Sequence, residues 1–146
     1  MAATINSAKI DGGKWKIVQL PHKASTLLSA NVLCTLNAGF VEEATTTAGQ
    51  SDLPLIGIFI GPTVAAADAT TALVQIAVPA EPGATAQLLI DTGTPSATAD
   101  LGKSFDISAT GGVTFSTTTN EAVTFWRYIS ATQGIFVLTS YSAPAA

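Results

Sequence analysis

His22 and Cys34 are the only histidine and the only cysteine in the chain, so few side chains can carry reactive chemistry. His22 follows Pro21 in a loop pattern, where a solvated imidazole with no metal or catalytic role is expected. Cys34 lies in the apolar run V-L-C-T-L and reads as a buried structural thiol; with no second cysteine, no intrachain disulfide forms. Ser104 and Asp106 flank Phe105 and fall on one face of a strand, but no base completes a triad. Glu42 and Glu43 are adjacent, so on a strand they point to opposite faces, which argues against a paired acid and base. Asp91 and Asp100 match no calcium loop and read as turn and cap residues. There is no G-x-S-x-G, no phosphate loop and no cluster of metal ligands. The chain is therefore expected to be no enzyme and to use no cofactor and no metal.

Recognition is a better prospect. Trp15, Trp126 and Tyr128 are large aromatics with a polar handle, the type that anchors protein interfaces. The same three would also serve as a sugar-stacking platform. Charge is scarce, at 11% of residues, while 25 alanines and 21 threonines dominate. Ordinary soluble domains carry roughly a quarter charged residues. A hydrophobic share of 47% rules out disorder by composition, and the weakly charged surface suits a protein that rests against other proteins. Residues 1–23 carry a net +3 from Lys9, Lys14, Lys16 and Lys23 against Asp11, and residues 24–146 a net −7. Four lysines without arginine or interleaved aromatics are a poor nucleic-acid signature, so a protein surface of acidic character is the expected target. Lys9, Lys14, Trp15, Lys16, Lys23, Trp126 and Tyr128 are the candidate binding residues. The opening residues lack the apolar core of a signal peptide, and no apolar run is long enough to span a bilayer. The expectations are cytoplasmic synthesis and no membrane partner.

These residues must be positioned by strands. Residues 53–61, L-P-L-I-G-I-F-I-G, form an uncharged, β-branched run between proline and Gly61-Pro62. That pattern predicts a strand covered on both faces, with Leu55, Ile56, Ile58, Phe59 and Ile60 buried. Gly57 within it signals a bulge or a close backbone approach. Strands are also expected at 15–20, in a hairpin over 30–43 turning at Asn37-Ala38-Gly39, and at 72–78, 86–90, 103–107, 112–118, 122–130 and 134–139. A single helical turn is expected within 62–71. Val123, Phe125, Arg127 and Ile129 alternate with Thr124, Trp126, Tyr128 and Ser130, so bulky groups point both ways. That strand should be covered on both sides or sit at an interface. Short strands without helical periodicity predict an all-β fold, a small β-barrel or β-sandwich of about eight to nine strands. The expected organisation is an extended N-terminal arm over 1–14 that orders only on a partner and is dispensable for folding, a single β-domain over 15–140, and a flexible tail over 141–146.

The order of segments from Val32 onward resembles the small β-rich capsid decoration, or cement, proteins of tailed bacteriophages. The resemblance is carried by P-L-I-G-I-F-I-G, L-G-K-S-F-D-I (101–107), Gly112-Val113, F-W-R-Y-I (125–129) and G-I-F-V-L-T (134–139), and it covers about three quarters of the chain. L-G-K-x-[FY]-D is its most specific piece, and implies a turn at Gly102 and a buried Phe105. The resemblance implies a virion protein on the capsid exterior. It would bridge neighbouring major capsid subunits, most often as a trimer and alternatively as a dimer, with avidity from repeated weak contacts. A carbohydrate-binding β-domain and a phage tail or fibre component are the competing readings.

Overall fold

The computed structural model describes residues 8–49 and 53–138. The tail over 141–146 and the first seven residues of the expected arm lie outside the described residues. The fold is all-β, with eleven strands among the described residues and one 3-10 turn at Ala66–Asp68. The strands are β1 (Ala8–Gly12), β2 (Trp15–Pro21), β3 (Leu33–Asn37), β4 (Phe40–Glu43), β5 (Leu55–Phe59), β6 (Leu73–Pro79), β7 (Thr85–Thr92), β8 (Ser104–Ile107), β9 (Val113–Thr114), β10 (Val123–Ser130) and β11 (Gln133–Leu138). The count exceeds the expected eight to nine; β1 is the strand with no expected counterpart, since it carries no apolar alternation, and β9 keeps only two residues of the strand expected over 112–118.

Two sheets share the work. The first runs β2-β6-β5-β3-β4, antiparallel throughout. Its outer strands meet where Lys23 N–H donates to the Val41 carbonyl at 2.9 Å, beside a His22–Val41 bridge. The second runs β1-β7-β11-β10-β8-β9, and β9 also pairs in parallel with β7, so five of its strands close into a barrel. One edge of β7 is thus divided: residues 85–88 take β1 and residues 90–92 take β9.

β5 is the wall common to two cores. Leu55 and Ile58 pack with Leu88, Ile107, Phe125 and Phe136 of the second sheet, whereas Ile56 and Phe59 pack with Leu28, Val32, Cys34, Ile76 and Val78 inside the first. Strict alternation would not put Leu55 and Ile58 on one side. A bulge at Ile56 resolves this, since Thr35 faces Leu55 while Cys34 faces Gly57. All five β5 residues are buried, but Ile60, just beyond the strand, is 40% exposed, which corrects the expectation for that residue. Phe59→Ala should cost about 3–5 kcal/mol in urea unfolding, the usual range for a truncated core phenylalanine. A loss below about 1 kcal/mol would show that the core inside the first sheet does not depend on it.

The hairpin forms as expected, with a shift in detail. The two residues at positive φ are Ala38 (53°) and Gly39 (91°), a type I′ geometry, and Asn37 is still in the strand. Gly102 sits at a φ of 83° and Phe105 is buried, stacked on Phe115 at 4.0 Å. Two expectations are corrected. The arm does not remain unpartnered through Lys14: Ala8–Gly12 is a strand on β7, Ala8 is buried, and Thr85 Oγ1 donates to Asp11 at 2.9 Å. The reason is that β7 offers a free backbone edge, which needs no apolar pattern in its partner. His22 is 2% exposed and not solvated, because the bridge to Val41 draws it into the sheet seam. Burial lowers its pKa, with Thr26 and Glu43 acting in the opposite direction.

Candidate interaction surface

β8 stops covering β10 early. Only Val123 and Thr124 pair with Phe105 and Ser104, and Gly102 and Lys103 then bond to the Phe125 backbone. From there β10 keeps a partner on one side alone, β11, and its register slips twice, with Trp126 and Ile129 as the extra residues. The slips turn bulky side chains into solvent. Trp126 is 62% exposed, Ile129 43% and Tyr128 39%. Leu101, also exposed, stands beside them because Gly102 N–H donates to the Phe125 carbonyl at 2.8 Å. The first half of the strand is covered on the core side; the second half, from Trp126 to Ile129, is exposed on a single chain, with Arg127 among its large side chains. Scattered exposed apolar residues are ordinary, but several large ones close in sequence on one strand, led by a tryptophan, make a candidate contact surface. Leu101 and Ile129 were not singled out from sequence, although the two-faced pattern of β10 already carried the signal for Ile129.

The lysines divide. Lys9 on β1, Lys14 in the β1–β2 connection and Lys16 on β2 are exposed and make no ion pair among the described residues. Lys23 sits at the far end of β2 and approaches Glu42 at 3.9 Å. Trp15 is not a free anchor. It is half-buried against the core between the two sheets, and its Nε1–H donates to the Gly12 carbonyl at 3.0 Å. Its role is to fix the β1–β2 turn. Arg127 reaches Asp11 at 3.4 Å and links β10 to β1, a solvent-exposed pair that contributes roughly 0–1 kcal/mol.

The residues with reactive chemistry are occupied structurally. Ser104 bonds Thr124 hydroxyl to hydroxyl at 2.9 Å. Glu43 accepts from Ser29 N–H, and Glu42 accepts from the Asn37 amide, on opposite faces as expected. Asp91 accepts from the Ser108 and Thr110 hydroxyls, and Asp100 from Ser96 N–H at 2.7 Å, both loop-fastening roles. Cys34 is fully buried, which raises its thiol pKa far above the ordinary range. No group of three or more metal-ligating side chains occurs among the described residues.

Asp106 was underestimated from sequence. It is 3% exposed and accepts four hydrogen bonds: from Thr117 Oγ1 (2.7 Å), Thr119 N–H (3.0 Å), Asn120 N–H (2.7 Å) and Glu121 N–H (2.7 Å). Burial alone would raise its pKa, but the four donors outweigh it and hold the carboxyl below the usual value of 3.8. It lines an open hollow of about 450 Å³ with Ser108, Thr114, Ser116 and Thr119. The carboxylate is spent on folding the 117–121 loop, and Glu121 there takes a φ of 50°.

No family model matches this chain, and neither the curated proteins nor the solved structures compared with it give a match.

Proposed function

We propose that this chain is a non-catalytic structural virion protein. It docks on the outer surface of a tailed-phage head as a homo-oligomer, a trimer before a dimer, and bridges neighbouring major capsid subunits. The observation that carries this reading is the solvent-facing Trp126–Tyr128–Ile129 segment with Leu101, on a surface otherwise poor in charge. The unpaired Lys9, Lys14 and Lys16 add attraction to an acidic partner that salt weakens. The segment order quoted above supports the same class. A second reading is a carbohydrate-binding domain, favoured by the exposure of Trp126 beside Tyr128, whose rings would stack on a sugar.

The test is co-sedimentation with heads that lack this protein, together with native mass and a glycan array. Wild-type protein should sediment with heads as an oligomer. Trp126→Ala with Tyr128→Ala should lower occupancy at sub-saturating protein by roughly tenfold, with the melting temperature unchanged because neither ring is in a core. Full occupancy by the double variant would overturn the docking role of this surface. Glycan binding without head binding would favour the second reading.

A further inference from the structure

The open side of β2 is the best-formed unused backbone edge among the described residues. Lys14 C=O and His22 N–H, at the two ends of the ladder, bond to Ala80 and Ala72 of the β6 side. The even-numbered residues between them therefore face β6, and Trp15, Ile17 and Gln19 turn their N–H and C=O groups outward. The seam to β4 begins only at His22 and Lys23. Other outer edges carry devices that discourage pairing. β1 has a register slip at Asp11, β10 has slips at Trp126 and Ile129, and β4 is four residues long. β2 pairs through seven residues without a slip, and its exposed Ile17 and Gln19 present a flat side.

We infer that this edge accepts a strand from a partner protein, an extended segment that alternates acidic and β-branched apolar residues. A strand laid beside β2 places its side chains directly opposite those of β2, about 5 Å away between Cβ atoms. Opposite Lys16, which has no carboxylate partner among the described residues, a Glu or Asp completes a cross-strand pair, and Lys14 reinforces it on the same face. Opposite Ile17, 52% exposed on the other face, a Val or Ile buries apolar area. Main-chain bonds to Ile17 and Gln19 supply affinity, and the lysines select the sequence. The inference uses a different surface from Trp126 and shares only Lys14 and Lys16 with the virion reading.

Amide exchange read residue by residue by NMR tests it, with a synthetic peptide alternating Glu and Val and a matched peptide alternating Lys and Val. The Glu peptide should slow exchange at Ile17 and Gln19 by roughly tenfold or more at millimolar concentration, and the Lys peptide should not. Lys16 and Val18, already bonded to β6, should change little. Ile17→Pro removes an outward donor without breaking the β6 ladder and should abolish the protection at Gln19; if it fails to fold, Gln19→Pro serves in the same way with Ile17 as the reporter. Trp126→Ala should leave peptide binding intact, which separates this edge from the head-docking surface. No slowing at Ile17 and Gln19, equal slowing by the Lys peptide, or protection that arises from dimerisation of the protein alone would each overturn the inference.

Discussion

Gly57→Ala is expected to destabilise the protein by more than about 3 kcal/mol, beyond the usual range for an added methylene. A Cβ built at Gly57 lies 2.0 Å from the Ala77 carbonyl oxygen and 3.0 Å from its carbon. That obstacle is main chain, so no rotamer change relieves it, and β6 must move away from β5. The Ile58–Ala77 and Phe59–Ile76 pairs are lost with it. Because β5 walls both cores, the damage spreads to each side. Urea unfolding measures the loss. A cost under about 1 kcal/mol would mean that the two strands are not packed this closely.

Asp106→Ala is expected to cost about 3 kcal/mol or more at neutral pH. Three backbone N–H groups and one hydroxyl lose a charged acceptor, and each such bond contributes about 1.5–3 kcal/mol. Water from the open hollow replaces some of them, which keeps the total below the sum. The pH dependence has a definite sign. The native pKa lies below the unfolded 3.8, so the stabilisation is fully present above that value and is lost as pH falls through the native one. Wild type should therefore lose stability below about pH 3.8 by a step that Asp106→Ala lacks. Parallel acid profiles for the two proteins would remove Asp106 from this role.

Much of the architecture was legible because it is written locally. The uncharged L-I-G-I-F run could only be a strand with neighbours on both faces, and Gly57 in its middle announced close backbone contact. The hairpin at Ala38-Gly39 and the turn at Gly102 were likewise carried by short signals. Other features depend on partners distant in the chain. β1 is a strand because β7 has an empty edge, and Ala8-Lys9-Ile10-Asp11 gives no hint of that. His22 is buried by a bridge to Val41, and Asp106 gains its weight from donors at 117–121 that fold back over it. The surface was partly legible. Bulky residues on both sides of β10 pointed to a strand covered on both sides or at an interface, and on the single chain its second half is bare; Trp15, equally aromatic, is held by the β1–β2 turn, and only packing distinguishes the two.

The divided edge of β7 has a consequence for synthesis on the ribosome. The first sheet and its internal core are complete once Pro79 has emerged, since β2 to β6 need nothing further along the chain to pair. β1 leaves the ribosome before all of them, yet apart from the bond from Ala8 N–H to the Asn31 carbonyl its ladder forms only once β7 is present. The earliest described strand is therefore among the later to be seated, and until then Lys9 and Ile10 travel with a half-built molecule. The Gly12-Gly13 joint lets β1 wait beside a finished first sheet without obstructing it.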